Sequence, residues 1–430
     1  MRFKINYLIL LLILCLSACK ISKKDESTLQ EEDANSLKTL PYASFVSADD
    51  KQAEGVKIFN KDKIADGYNF FCRRNQSYVC LYDINGTCVK KWGYEAGNNL
   101  QWQYADIDEK DNVVFIVKPE EESLGPDGSK IVSNALGKLD SSNNLIWYKK
   151  GRFHHDFIFL DNDEIATFAR KERIVSWRGQ KLPILDDKIL FLNASTGEIK
   201  REYSIYDLVG EKFIDEEDVE KLKRRPDYAE IFQKVSSGSI RDDEIVLNHD
   251  RGGDVFHTNS ILRIPRPIKG VADVGDYLIS IRQPNFVGII KGDMSGVKWF
   301  VKDIFKKQHQ PILLANNNFM VFDNKWIKGY SRVAEIDPVT KSVVWQYNSE
   351  RKPKLYSATR GGVQELKNGN ILVVDSSHGK LLEVTRNKEI VWQYVTSSEM
   401  KNGRKVRPVI YRAKRFSTED LRKIFPNGEF

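Results

Sequence analysis

The stretch DPVTKSVVWQY, residues 337–347, decides the fold, because it joins a polar turn to an apolar strand that ends in aromatic residues. The same pattern occurs five more times along the chain. The copies are DINGTCVKKW (83–92), DSSNNLIWYKK (140–150), NASTGEIKREY (193–203), DMSGVKWFV (293–301) and TRNKEIVWQY (385–394). Each copy predicts a hairpin in which Asn, Asp or Gly forms the turn.

The spacing of the copies predicts a β-propeller. Trp345 follows Trp299 by 46 residues, and Trp392 follows Trp345 by 47. A second kind of hairpin signal also recurs, as in KNGNILVV at residues 367–374. A period in the 40s with about four strands per unit is typical of a propeller blade. Six copies therefore predict an all-β chain that forms a six-bladed β-propeller over residues 51–415.

Two segments depart from this repeat. Residues 205–235 are charged, helix-like and interrupted by Pro226, and they lie in an interval of about double length. We interpret them as a helical insertion within a blade rather than a seventh blade, acting either as a lid over one face or as a buttress. The C-terminal tail, residues 416–430, predicts a short helix capped by Ser417 or Thr418.

The N-terminus has the pattern of a bacterial lipoprotein. Two basic residues precede the apolar run INYLILLLIL (5–14), and the tetrapeptide LSAC follows and ends at Cys19. The run is shorter than the roughly 20 residues of a membrane-spanning helix, so residues 1–18 are predicted to be a signal peptide. We expect a lipid on Cys19, a polar linker at 19–50 and a domain on the periplasmic side of the cell envelope. Lys20, where an Asp would indicate inner-membrane retention, favours the outer membrane.

The composition limits the partners and cofactors. The chain is 41% hydrophobic and has a net charge of +7 without a long basic block, so nucleic acid is not an expected partner. Cys72, Cys80 and Cys88 remain in the mature chain, and an exported protein can form one disulfide among them, but the spacing does not identify the pair. Familiar nucleotide-binding and metal-binding motifs are absent, so we expect no cofactor and no metal. Nothing in the sequence indicates an oligomeric state.

The six histidines are the main candidates for chemistry. Four segments carry histidines at places that look similar in successive repeats. They are GRFHHDFIFL (151–160), GGDVFHTNSILRI (252–264), KKQHQPILLA (306–315) and DSSHGKLLEV (375–384). Because the inner strands of all blades meet at the central channel, histidines at one phase of the repeat would lie together. Clustered imidazoles can bind metal, transfer protons or attack an electrophile, whereas any one of them alone fits a surface or core role.

Three further side chains could complete such a site. Arg332 stands just before the strand that leads to the turn at Asp337, and its guanidinium would suit sulfate, phosphate or carboxylate. Tyr356 and Arg360, in LYSATRGGVQEL, are similar candidates. The alternative for a single arginine is an ordinary surface ion pair.

The ordered segments over about residues 150–400 resemble the bacterial arylsulfate sulfotransferase family. The resemblance is carried by HHDFIFLDNDEIATFAR (154–170), FHTNSILRI (256–264), DYLISIRQPNFVGII (276–290), QHQPILLANNNFMVFDN (308–324), SRVAEIDPVTKSVVWQY (331–347) and the run from YSATRGG to EIVWQY (356–394). It implies a six-bladed propeller that transfers a sulfuryl group from an aryl sulfate to a phenol without a nucleotide sulfate donor. The expected partners are therefore these two small molecules, together with the membrane through the lipid anchor.

The resemblance also implies roles for individual residues. It implies a sulfohistidine intermediate on His378, with His257 orienting the sulfate and with His309 and Arg332 stabilising it. Asn259 follows His257 in the H-x-N pattern and is expected to bind substrate. His155, Tyr356 and Arg360 are the other expected substrate-binding residues. Chemically, sulfuryl transfer spreads negative charge over oxygens, which cationic and donor groups can stabilise.

Two alternatives to this enzyme stay open. The first is a non-catalytic ligand-binding or scaffold propeller of the cell envelope, because propellers often bind without doing chemistry. The second is a quinone-dependent dehydrogenase propeller, which shares the recurring tryptophans but leaves the histidine set unexplained.

Overall fold

The architecture comes from a computed structural model. It describes residues 45–48, 54–74, 76–94, 101–118, 122–124, 130–132, 134–241, 244–247, 252–327, 329–348, 355–401 and 403–426. The predicted signal peptide, Cys19, His249 and most of the predicted linker lie outside these residues. Residues 45–47 of that linker form a strand that pairs with a strand near the C-terminus, so the folded part begins before residue 51.

The described part of the chain is built mainly from strands. In the first half they are β1 (Phe45–Ser47), β2 (Gly55–Phe59), β3 (Tyr68–Cys72), β4 (Tyr78–Tyr82), β5 (Cys88–Gly93), β6 (Gln101–Ile107), β7 (Val113–Lys118), β8 (Glu122–Leu124), β9 (Lys130–Val132), β10 (Asn134–Leu139), β11 (Leu145–Gly151), β12 (Phe153–Leu160), β13 (Glu164–Trp177), β14 (Gln180–Asn193) and β15 (Ile199–Ser204). In the second half they are β16 (Thr258–Arg263), β17 (Tyr277–Ile281), β18 (Phe286–Ile290), β19 (Val297–Lys302), β20 (His309–Leu313), β21 (Phe319–Ile327), β22 (Tyr330–Asp337), β23 (Ser342–Tyr347), β24 (Gly362–Glu365), β25 (Ile371–Asp375), β26 (Lys380–Val384), β27 (Ile390–Val395), β28 (Glu399–Lys401), β29 (Arg404–Pro408) and β30 (Lys414–Phe416).

Six of the sheets are antiparallel blades, which confirms the predicted six-bladed all-β propeller. We call the strands of each blade A to D from the axis outward. The blades are β30-β3-β4-β5, β6-β7-β10-β11, β12 to β15, β16 to β19, β20 to β23, and β24 to β27 with β2 added outside. The six sequence copies correspond to the six C–D hairpins, one in each blade. Aliphatic and aromatic residues between neighbouring blades form the core, as in the cluster shared by blades 4 and 5.

The repeated turn and tryptophan have a physical function in this ring. The turn aspartate accepts backbone N–H groups, as Asp140 Oδ1 does from Ser142 and Asn144 at 2.9 and 2.8 Å. In blades 2, 4, 5 and 6 the strand-D tryptophan then donates its indole N–H to the C–D turn of the next blade. These bonds are Trp147 to Ala194, Trp299 to Pro338, Trp345 to Arg386 and Trp392 to Ile84. The motif therefore forms a turn within one blade and docks that blade on its neighbour.

The ring is closed twice by the chain ends. The C-terminal strand β30 supplies strand A of the first blade, and the N-terminal strand β2 adds to the outer edge of the last. A fully buried ion pair between Arg415 and Glu383 links these two blades. Beyond it, the last helix spans Thr418–Ile424, and the Ser417 hydroxyl accepts the Asp420 N–H at 3.1 Å as its N-cap.

The helical segment lies between blades 3 and 4 rather than within a blade, which corrects the sequence interpretation. It contains α1 (Ile205–Val209), α2 (Glu216–Lys223) and α3 (Pro226–Ser236), with a 3-10 turn at Glu211–Phe213. Helix α3 packs on β14, and the Tyr228 hydroxyl donates to the Pro183 carbonyl at 2.7 Å. β13 and β14 are 14 residues long, more than twice as long as most B and C strands, and they share a buried core with the helices. This packing is that of a buttress.

The two faces of the propeller differ. The A–B and C–D turns lie on one face, whereas the starts of the A strands, the B–C turns and the D–A connections lie on the other. We call the second one the mouth face. The long β13–β14 hairpin and the helices belong to it, since they are a B–C hairpin and a D–A connection.

Two further features concern the cysteines and membrane insertion. Cys80 and Cys88 form a disulfide between β4 and β5, while Cys72 is a buried free thiol. This pairing selects one of the alternatives that the sequence left open. Among the described residues, no helix has the length and apolar character needed to cross a membrane.

Candidate active site

The candidate site is formed where the A strands begin on the mouth face. His155, His257 and Arg360 lie at or just before the first residues of β12, β16 and β24, and each has a positive φ, of 64°, 56° and 67°. His309 is the first residue of β20. Such left-handed backbone is rare for residues other than glycine and tends to persist at functional sites. In blades 3 to 5 the A strand also has a register irregularity at this point.

Three histidines of blade 3 and blade 4 are in contact. The rings of His155 and His257 pack edge to face, with centroids 4.7 Å apart and an angle of 68° between their planes. His155 Nδ1 lies 2.7 Å from His154 Nδ1, so one nitrogen of this pair donates and the other accepts. The enclosed position of His155, with His257 and His154 beside it, holds its pKa well below the usual range. His155 is therefore neutral at physiological pH.

His257 is held by a carboxylate and an arginine. Its Nδ1 lies 2.5 Å from Asp254 Oδ2, and Arg170 Nη2 approaches the same nitrogen at 3.3 Å. Burial lowers the pKa of His257 to about 3, although Asp254 acts in the opposite direction. Arg170 also pairs with Asp187, which is fully buried. A carboxylate on one ring nitrogen fixes the orientation of the imidazole and leaves the other nitrogen for a ligand.

His309 is held by an amide instead. Its Nδ1 lies 2.7 Å from Asn324 Oδ1, and the backbone N–H of Arg360 donates to its Nε2 at 3.3 Å. Burial, reinforced by the charge of Arg282, holds the pKa of His309 well below its ordinary value. His309 is therefore also neutral.

Arg282 is a site residue that the sequence analysis missed. It follows strand β17, its backbone N–H donates to the His257 carbonyl at 3.1 Å, and its charge acts on both His257 and His309. The residue is only 9% exposed, and no carboxylate of the described residues forms an ion pair with it. A buried cation without a counter-ion favours binding of an anion. The signal was present in DYLISIRQPN, as a charged residue at the end of an apolar strand.

Arg412 and Tyr411 are two more residues that the sequence analysis missed, in the segment before β30. Arg412 forms an ion pair with Asp156 and donates to the Asn259 carbonyl at 2.7 Å. The Tyr411 ring lies 6.1 Å from that of His155, and burial raises its pKa to about 12. Its hydroxyl is buried without a hydrogen-bond partner in the described part of the chain. A phenol in this state is a donor that a bound ligand could satisfy.

The predicted substrate-binding residues Asn259 and Tyr356 lie in the same region. The side-chain amide of Asn259 donates to the Gln308 carbonyl at 2.8 Å, just before His309, and its Oδ1 has no partner among the described residues. Tyr356 is half-buried in the connection, from residue 355 to 361, that also carries Arg360.

Arg332 is bonded within its own part of the ring. Its Nε donates to Asp323 Oδ2 at 2.9 Å, its Nη1 to Gln346 Oε1 at 2.9 Å and its Nη2 to the Ile304 carbonyl at 3.0 Å. It lies on strand C, two strands out from the axis. These contacts hold its guanidinium within blade 5, whereas the cationic charges that act on His309 are those of Arg282 and Arg412.

His378 does not share the phase of the other histidines, which corrects the sequence interpretation. It lies in the 3-10 turn Ser376–His378 between strands B and C of blade 6, where Arg360 occupies the place before strand A. Its Nδ1 faces the Asp375 carboxylate at 2.8 Å, and its side chain is 37% exposed. The B–C turn does open on the mouth face, and Ser377 is linked to Ser357 of the Arg360 connection at 3.2 Å.

An axial cavity adjoins the cluster. It has a volume of about 520 Å³ and is lined by the A strands of all six blades. Asp156, Arg412 and Gln310 line its end nearest the histidines, and aromatic residues such as Tyr104 and Phe157 line its wall. No group of three or more His, Cys, Asp or Glu side chains in the described ranges is arranged to hold a metal ion.

Solved structures with similar folds include three bacterial proteins. A protein of unknown function from Bacteroides caccae has 12% identity and a TM-score of 0.45, covering 82% of this chain and 99% of that one. BamB from Moraxella catarrhalis has 10% identity and a TM-score of 0.35, with coverage of 88% and 96%. AztD from Citrobacter koseri has 9% identity and a TM-score of 0.35, with coverage of 82% and 99%. Identities this low relate the folds alone.

The sequence comparison is more specific. No curated protein matches the chain. The family model of arylsulfotransferases (ASST) matches residues 124–397, which is more than half of the chain and includes His155, His257, Arg282 and His309. The chain therefore belongs to the arylsulfotransferase family.

Proposed function

We propose that this protein transfers a sulfuryl group from an aryl sulfate to a phenol, through a covalent intermediate on a histidine and without a nucleotide donor. The observation that carries the proposal is the cluster of neutral imidazoles of His155, His257 and His309 beside Arg282, a buried cation that forms no ion pair with a carboxylate of the described residues. A sulfate ester needs both features, because neutral nitrogen can attack sulfur and a fixed cation stabilises the charged oxygens.

His309 is the nucleophile that the geometry supports best. Its ring is buried and neutral, and both of its nitrogens have defined partners. In the first step its Nε2 forms a bond to sulfur while the bond from sulfur to the aryl oxygen breaks, and the electron pair leaves on the phenolate. This assignment differs from the role that the family resemblance gave to His378, and the two are separated by experiment below.

The second step reverses the first with a new phenol. The acceptor oxygen attacks sulfur, the bond between nitrogen and sulfur breaks, and the electron pair returns to His309 Nε2. The acceptor proton passes to a second imidazole, for which His257 is placed by its contact with Asp254. Arg282 stabilises the sulfuryl oxygens in both steps, because its charge acts on His309. We do not assign this role to Arg332, whose guanidinium is bonded to Asp323.

A transfer assay tests the function together with Arg282. The purified protein is mixed with 4-nitrophenyl sulfate and phenol, and the sulfated acceptor is measured. We expect transfer by the wild type and a loss of about 10²–10³-fold in Arg282→Met, which is typical when one charge-stabilising donor is removed. Arg263→Met is the matched control, because that arginine is half-exposed and paired with Asp161 on the opposite face.

Two outcomes would count against the proposal. If the wild type binds aryl sulfates but transfers nothing to any of a panel of phenols, the protein is a ligand-binding propeller of the envelope. If Arg282→Met keeps the wild-type rate, the anion is bound elsewhere.

We also propose that the protein acts at the cell envelope, anchored on its periplasmic side through a lipid on Cys19. The support is the order of charged, apolar and small residues that ends at this cysteine. In Cys19→Ser we expect the protein to move from the membrane fraction to the soluble or unprocessed fraction after expression in bacteria. Cys72→Ser, which changes a buried thiol, should leave the partition unchanged. If the wild type and Cys19→Ser partition alike between the membrane and soluble fractions, the lipid anchor is excluded.

A further inference from the structure

Asn324 connects two parts of the candidate site. It lies on β21, the strand next to β20, and it is fully buried. Its Oδ1 lies 2.7 Å from His309 Nδ1. Its Nδ2 donates to the Ser357 carbonyl at 2.8 Å and also to the Arg360 carbonyl. One amide thus contacts the histidine and holds the connection that precedes β24.

These contacts determine the orientation of the amide. A backbone carbonyl only accepts hydrogen bonds, so the group that faces the Ser357 and Arg360 carbonyls must be the NH₂ of Asn324. The oxygen must then face His309. The assignment rests on two independent carbonyl partners and not on the imidazole itself.

The orientation of the amide determines the tautomer of His309. Because an amide oxygen can only accept, Nδ1 of the neutral ring must carry the proton. Nε2 then keeps its lone pair and accepts the Arg360 backbone N–H at 3.3 Å. The same side chain holds the Arg360 carbonyl, on a residue whose φ of 67° is unfavourable for arginine.

We propose that Asn324 is a positioning residue that fixes His309 as the Nδ1–H tautomer and aims the peptide N–H of Arg360 at the same Nε2. The inference rests on the proposed function, in which Nε2 attacks sulfur. Once a sulfuryl group occupies Nε2, the Arg360 N–H is placed to donate to one of its oxygens. A donor fixed in this way stabilises the charge that develops during transfer.

Two substitutions separate the two roles of Asn324. Asn324→Asp keeps an acceptor for His309 Nδ1–H but removes the donor to the two carbonyls. Asn324→Leu removes both. We expect kcat to fall by about 10–100-fold in Asn324→Leu, as for other residues that orient a reactive ligand, with a smaller fall in Asn324→Asp. The KM for the aryl sulfate should change little, because Asn324 does not face the substrate.

The decisive measurement is the ¹⁵N NMR spectrum of the histidine rings, which does not depend on activity. The chain has only six histidines, and the His309 signals are assigned by comparison with His309→Gln. We expect a protonated Nδ1 and an unprotonated Nε2 in the wild type and in Asn324→Asp, and a mixture of tautomers in Asn324→Leu. Asn370→Leu, which removes another buried amide at the opposite end of the blades, should leave the His309 signals unchanged.

The outcomes distinguish this inference from the proposed function. If wild-type His309 carries its proton on Nε2, or if Asn324→Leu keeps the wild-type tautomer, the positioning role is wrong whatever the activity. If the tautomers are as expected but no variant or wild type transfers sulfate, the positioning role stands and the proposed reaction fails.

Discussion

His309→Ala is expected to lower the rate of sulfuryl transfer by at least about 10³-fold, since loss of a covalent nucleophile leaves only binding and charge stabilisation. The side chain is fully enclosed, and its Nδ1 contact with Asn324 fixes the direction in which Nε2 points. Initial rates with 4-nitrophenyl sulfate and phenol measure the effect.

His378→Ala is the paired variant that decides between the two nucleophile assignments. Its ring is more exposed and contacts Asp375 of its own turn, so we expect a much smaller loss of rate than in His309→Ala. Intact-mass spectrometry after incubation with donor alone gives a second readout, namely one added sulfuryl group. We expect this adduct on the wild type and on His378→Ala but not on His309→Ala. The reverse pattern would return the nucleophile to His378, as the resemblance implied.

The fold could be predicted from the sequence because its signal is local and repeated. Each of the six copies contains its own turn residue, and five contain a tryptophan, four of which bond to the next blade. The blade count then follows from counting copies. The place of the helical segment could not be predicted in the same way. A charged helical pattern shows only that strands are interrupted, whereas its position between blades 3 and 4 depends on which strands pair around it.

The site could be predicted only in part. The phase argument works for His155, His257 and His309, since all three lie where an A strand begins. It fails for His378, because a B–C turn and the start of an A strand look alike in the sequence. Both follow polar residues and precede an apolar strand. Arg332 and Arg282 illustrate the same limit. Each is an arginine within an apolar strand pattern. Only the structure shows that Arg332 is bonded to Asp323 and that Arg282 lies beside the histidines.

The buried pair at the ring closure carries the largest expected effect on stability. Arg415 on β30 and Glu383 on β26 are 1% and 0% exposed in their side chains, and they join the last blade to the first. Glu383 also accepts the Ala65 N–H and the Asn370 amide, both at 2.7 Å. The pair therefore holds the N-terminal segment, the C-terminal strand and blade 6 at one point.

Arg415→Met is expected to reduce the free energy of unfolding by about 3–5 kcal/mol, because it leaves the Glu383 carboxylate buried without its cation. The double variant Arg415→Met, Glu383→Leu should recover part of this loss, since the cost comes mainly from the uncompensated charge. Urea unfolding of the purified protein measures the free energy of unfolding of Arg415→Met, of Glu383→Leu and of the double variant. Arg201→Met is the control, because it removes a half-exposed ion pair worth about 1 kcal/mol or less. If the double variant is as unstable as the sum of the two single variants, the charges act independently and the ion pair is not what closes the ring.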